Sequence, residues 1–361
     1  MIFKAQILDW SLLIRYFPHY QRVNRKMENK SSLKEGFSFK LIGFNQSLVD
    51  QLSPFFNKSI FELSKLIDIS TLEGLSFAIG DEEYLQELKS FNDYLTPSSG
   101  AAVGIAMTLT HIDRDYSRNY IIVNCRHLGL EYFLKEYTGP VSQEDMNRVV
   151  SDFLHTLFHE FCHVFGYQEM LENSPGLLTR DRFENDWEGF MHLVSFTCWD
   201  EYQVCGWANM IGSDQQDRYE SILLNVMNQF DASIKQVFRE YLGSTENSRF
   251  LTLFNNTAIL VLDLFKYSSY YLGDLSTKDD AIISDEVSSH KLYDVISTLN
   301  EMLSSLKSKV DTGIVENTDF YKIGEYAQQV AADLGLIVEP VDKNNMFVNL
   351  SRSAQTRILY A

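Results

Sequence analysis

From about Val141 to Leu336 apolar side chains recur every three to four residues, interrupted only by short polar joints. This pattern makes a stretch of more than half of the 361-residue chain a region of successive amphipathic helices. Ser142, with Asp145 three residues on, marks the first N-terminus. Val149, Val150, Phe153, Leu154, Leu157, Phe158, Phe161 and Val164 then form an apolar face up to Gly166, the expected C-terminal stop. Asn185 and Glu188 open a second long helix, expected to run to about Ile211 before Gly212. Further helical segments are expected at about 217–243, 249–272, 286–308 and 318–334, with an exposed loop over 273–290 and a short strand within 336–350.

Ahead of this helical stretch the pattern is mixed. Residues 37–44 and 75–79 read as strands, 48–66 as a helix bent at Pro54, and 81–95 as a helix ended by Pro97 and Gly100. Two more strands, 104–110 and 119–124, are joined by a polar link over 111–118. The expected class is therefore α+β: a small antiparallel or mixed sheet followed by a mostly α-helical C-terminal subdomain. Three regions are expected: a basic lead segment over 1–40, a mixed subdomain over 41–166 and a mostly helical subdomain over 167–361. No internal repeat is evident.

Composition excludes several classes. With 45% hydrophobic and 13% aromatic residues and only 6 prolines, the chain is built to fold. Its net charge of −18 repels phosphate backbones and anionic lipid, so neither a nucleic acid nor a membrane is an expected partner. The charge is uneven: residues 1–40 carry eight basic against three acidic side chains, a segment expected to be solvated or docked on the acidic body. Apolar stretches such as 257–265 are too short for a membrane span, and residues 1–9 lack the features of a secretory signal, so the cytoplasm is the expected location. Cys125, Cys162, Cys198 and Cys205 form no C-x-x-C pair and read as buried thiols.

One constellation carries chemistry. His159-Glu160-Phe161-Cys162-His163 is an HExxH sequence inside the strongest helical segment. Residues at i and i+4 of a helix face the same way, so both imidazoles can converge on one metal ion. Glu160 follows the first ligand, where its carboxylate can reach a metal-bound water instead of the metal. Zn2+ held in this way lowers the pKa of its water and polarises a scissile carbonyl, and Glu160 is the expected general base.

On these residues the chain resembles the zincin superfamily of metallopeptidases, over roughly residues 100–212. The resemblance implies zinc-dependent hydrolysis of a peptide or protein substrate. It also implies a strand before the HExxH helix that pairs with extended substrate, which makes Tyr120 to Asn124 the candidate edge. Zincins that use glutamate draw the third ligand from a second helix. Here that points to Glu201, which shares a helical face with Val194, Cys198 and Cys205; Asp200, Glu188 and Glu184 remain alternatives. The family places a small and then an acidic residue three and four positions after this ligand, whereas this chain has Val204 and Cys205. A carboxylate such as Asp200 or Asp152, or a backbone carbonyl, is then left to support the first histidine.

Among the remaining candidates, His155 lies one turn before His159 and is expected to face solvent or border the site. His192 is expected to be structural, and Tyr202 and Tyr167 are the nearest phenols that could stabilise an oxyanion. Two rival readings stay open: a non-catalytic zincin-like binding or regulatory protein, and a helical interaction protein in which HExxH is accidental. Oligomeric state is not legible.

Overall fold

The computed structural model describes residues 30–97, 104–113, 116–129, 142–173, 178, 183–211, 214–279, 282–342 and 345–359. Most of the basic lead segment, Gly100 and Gly212 lie outside the described residues. The architecture is mixed α+β and mostly helical. In chain order its elements are β1 (Phe39–Ile42), α1 (Gln46–Leu63), β2 (Leu72–Ala78), α2 (Asp81–Phe91), β3 (Ala106–Asp113), β4 (Tyr116–Asn124) and α3 (Gln143–Asn173). There follow α4 (Asp186–Ala208), α5 (Gln216–Gly243), α6 (Arg249–Leu275), the short α7 (Asp285–Ser288), α8 (Tyr293–Thr312), α9 (Asn317–Leu334), β5 (Leu336–Asp342), β6 (Asn345–Leu350) and α10 (Arg352–Leu359). No described helix is long and apolar enough to cross a membrane.

The chain forms two compact units, and the long helices α3 and α4 each contribute residues to both. The first unit is built on a four-stranded sheet of order β1-β2-β4-β3, parallel except for β3, which runs antiparallel to β4. This corrects two expectations. The 111–118 link is largely strand, since β3 continues to Asp113 and β4 begins at Tyr116. Tyr120 to Asn124, expected at the edge, lie on β4 between β2 and β3, and among the described residues β3 is the outer strand on that side. Helices α1 and α3 are fixed to the sheet by an aromatic cluster. Phe56 stacks on Phe77 with centroids 4.2 Å apart, and on Phe153 at 5.3 Å; all three rings are buried. Each such ring pair adds about 0.5–1.5 kcal/mol beyond its buried area. Phe153 is thus the anchor that sets the rotation of α3 about its axis.

Helix α3 begins as its sequence directs, with the Ser142 hydroxyl accepting from the Asp145 N–H at 3.0 Å. It does not stop at Gly166. The helix runs a further two turns to Asn173, with Gly166 buried inside it. A mid-helix glycine costs about 1 kcal/mol relative to alanine. Contacts on both flanks offset that cost: Phe165 meets Trp207 edge-to-face at 5.2 Å, and His163 stacks on Tyr167 at 6.0 Å.

In the second unit α4, α5, α6, α8 and α9 all contribute buried apolar side chains to the core. Helix α4 starts where Asn185 Oδ1 accepts from the Glu188 N–H at 3.0 Å. Helix α9 lies against it, with the Gly324 N–H donating to Ser195 Oγ at 3.0 Å and Gln328 Nε2 to the Trp187 carbonyl at 2.8 Å. The expected loop over 273–290 is shorter, because α6 continues to Leu275 and α7 intervenes. The single strand expected in the tail is the β5–β6 hairpin. All four cysteines are buried thiols.

Gly273 is fixed by a close approach. A β-carbon there would overlap the Tyr202 carbonyl of α4, so α6 and α4 meet at backbone distance next to Glu201. Gly206 is less confined, its β-carbon falling 3.2 Å from the Gly273 carbonyl. Gly273→Ala is expected to cost about 1–3 kcal/mol by overpacking, and more than Gly206→Ala. Urea unfolding of the two variants checks this, and equal midpoints would show that the helices can part without penalty.

Candidate metal centre

Helix α3 presents two faces to the site. Successive residues turn by about 100° around a helix, so Glu160 lies seven residues beyond Phe153 on the stripe that meets the sheet, while His159 and His163 share the neighbouring stripe. All three are almost fully buried: His159 is 9%, Glu160 6% and His163 8% exposed. Their polar atoms therefore need partners within the protein or a bound ligand.

The two imidazoles converge. Nε2 of His159 and Nε2 of His163 stand 3.2 Å apart, with ring planes nearly perpendicular at 80°. Two nitrogens bound at about 2.0–2.1 Å to one tetrahedral ion would stand about 3.3 Å apart, so the pair already has the spacing of neighbouring ligands. Glu201 completes the group. One ligand atom from each of His159, His163 and Glu201 lies within 4.8 Å of the others. Two imidazoles and a carboxylate form an N2O donor set that accepts zinc and other first-row divalent cations alike. The residues fit a metal ion, and their chemistry alone does not select which.

Glu160 stays out of this group. Thr108 on β3 donates its hydroxyl to Glu160 Oε2 at 2.6 Å, which turns the carboxylate towards the outer strand of the sheet. Its charge is felt by Tyr84 on α2: burial, and next the Glu160 carboxylate, push that phenol far above its ordinary pKa, so it stays protonated.

Glu201 is held from α6. The Tyr270 hydroxyl donates to Glu201 Oε1 at 2.8 Å, and Lys266 Nζ lies 3.8 Å from the same oxygen. Burial disfavours the Lys266 ammonium, but the charge of Glu201, followed by Tyr267, Asp263 and Asp200, outweighs it and raises the pKa, so the lysine is a fixed cation. Burial and then the Glu201 charge hold the Tyr270 phenol well above its ordinary value, which keeps it a donor.

The other candidates lie elsewhere. Glu188 Oε2 accepts from the Glu184 N–H at 2.6 Å, so Glu188 serves the start of α4, and Glu184 is exposed. Asp200 is buried beside Glu201 and contributes to the field at Lys266. His155 does not face solvent: it is 3% exposed and its Nδ1 is 3.0 Å from the Ile211 carbonyl. His192 packs between Phe183 and Tyr321. Tyr202 is directed to Ser304 and Ser276, whereas Tyr167 stacks on His163. Tyr270, whose hydroxyl donates to Glu201, was not among the candidates read from sequence, nor were Lys266 and Thr108. Comparison with family models, with curated proteins and with solved structures finds no match to this chain.

Proposed function

We propose that this chain is a zincin-like, zinc-dependent peptidase, with His159, His163 and Glu201 as metal ligands and Glu160 as the general base. The observation that carries the reading is the approach of two imidazole nitrogens to 3.2 Å, with the Glu201 carboxylate in the same group and a fourth side chain, Glu160, kept apart from it. A zinc ion bound there would supply Lewis acidity, activating water near neutral pH and polarising a carbonyl.

The chain's own residues would do the rest. Thr108 occupies Glu160 Oε2, so Oε1 is the oxygen left to take the proton from the attacking water and return it to the leaving amine. An extended peptide would add to β3, the outer strand of the sheet that carries Thr108, by main-chain hydrogen bonds. That same strand carries Thr108, so the substrate's backbone and the base would be registered by one element. The partner is a peptide or protein, and the cytoplasm is the compartment we propose for it.

A metal-independent reading has one observation in its favour: Lys266 already stands near Glu201 and could serve as its counter-ion. Metal content decides between them. Protein purified without chelator is expected to hold about one zinc per chain and to cleave members of a mixed peptide library, with cleavage lost on dialysis against a chelator and restored by zinc. Zinc-free protein that also fails to bind added zinc would overturn the proposal.

A further inference from the structure

We propose that Tyr270 and Lys266 set the metal affinity of the site from behind Glu201, and that they do so with opposite signs. Tyr270 is a positioning residue that strengthens binding, and Lys266 is a fixed cation that weakens it. The inference rests on the metal-centre reading above and adds to it the residues that tune the centre.

The argument begins with spacing. Lys266 and Tyr270 are four residues apart on α6 and so share a face. Both address one atom, Glu201 Oε1, at 3.8 and 2.8 Å. A carboxylate gripped through one oxygen can turn only about that contact, so Oε2 is the oxygen a singly coordinated metal would take. The grip is itself rigid. The Tyr270 ring stacks against Tyr219 at 5.5 Å and against Tyr267 at 5.7 Å, which fixes the direction of its hydroxyl. One turn on, Gly273 admits the Tyr202 carbonyl, so the backbone next to Glu201 is fixed against the helix that carries Tyr270.

The two contacts act differently on a cation. A neutral phenol that donates to the non-ligating oxygen orients the ligand without adding charge, and loss of such a partner typically weakens metal affinity about 10- to 100-fold. An ammonium near the same oxygen balances the carboxylate in the empty site and repels a divalent ion in the filled one. Its removal therefore favours the filled site, by at least about threefold at the effective dielectric of a partly buried pair.

Zinc alone is the probe. Zinc affinity is measured by competition with a chromophoric chelator for the full chain and for Tyr270→Phe, Lys266→Met, Lys266→Arg and Glu201→Ala, with cooperative unfolding checked for each. The expected results are weaker binding for Tyr270→Phe, tighter binding for Lys266→Met and near-native binding for Lys266→Arg. General damage to the helix would weaken binding in both α6 variants, so a shift of Tyr270→Phe and Lys266→Met in the same direction overturns the proposal. So does native affinity in Tyr270→Phe while Glu201→Ala binds weakly. Lys266→Met carries the test of sign should Tyr270→Phe fail to fold. If the unaltered chain binds no zinc, or Glu201→Ala binds as tightly as the unaltered chain, it is the metal-centre reading that fails, a result distinguishable from the others.

Discussion

If the proposed function holds, a His159→Ala, His163→Ala double variant is expected to retain its fold and to bind no stoichiometric zinc. Zinc bound by a full set of protein ligands contributes about 10–16 kcal/mol, so two lost imidazoles remove several kcal/mol and raise the dissociation constant on the order of 10⁴-fold. The fold should survive, because the contacts that anchor α3 to the sheet lie outside the histidine pair, although the His163–Tyr167 stacking is lost with His163. Phe153 is held by Phe56 and Phe77, and the start of the helix by Ser142. Metal analysis alongside urea unfolding separates the two effects. The informative comparison is between the double variant and the chelator-treated native chain, which should unfold at similar urea concentrations. A double variant that retains stoichiometric zinc would show that the convergence of these two rings at 3.2 Å serves another purpose.

What the sequence made legible follows the range of each interaction. The histidine pair is a local matter: four residues on a helix fix its geometry, so HExxH within an apolar periodicity could be read without any knowledge of the fold. Glu201 is an intermediate case. Its apolar neighbours Val194, Cys198 and Cys205 marked a buried face of α4, and all three are fully buried in the structure. Nothing in that pattern said what lay opposite. Tyr270, Lys266 and Thr108 were not legible, because each reaches its carboxylate from 50 or more residues away. One of 19 tyrosines and one lysine among many carry no local mark of such a contact.

The misread boundaries have the same origin. Gly166 carries the signature of a helix stop, but Phe165 and Tyr167 on either side find ring partners and the helix continues. His155 is polar and is expected to face solvent or border the site; the Ile211 carbonyl meets its ring nitrogen and allows burial, which excludes the first of these. The strand order shows the limit most plainly. The periodicity marked two strands before α3, but which of them sits outermost depends on β2 pairing in parallel with β4, a contact across more than 40 residues. That order bears on the proposed chemistry, since it puts Thr108, which donates to Glu160, on a strand that is outermost among the described residues.

Glu160→Gln should therefore separate the metal site from its chemistry. Glutamine keeps the length and hydrogen-bonding reach of glutamate, so its amide oxygen can still accept from Thr108 Oγ1, which stands 2.6 Å from the native carboxylate. Glu160 is apart from the three grouped ligand atoms, so zinc content and affinity are expected to match the native chain. What glutamine cannot do is take a proton from water, and loss of a general base lowers rates by about 10²- to 10⁴-fold. The measurement pairs zinc content with cleavage of a mixed peptide library on the same preparations. Zinc retained with cleavage reduced by that factor supports Glu160 as the base. Zinc retained with undiminished cleavage would assign proton transfer to another group. Zinc lost from Glu160→Gln would mean that this carboxylate serves the metal after all, and that Thr108 holds a ligand and not a base.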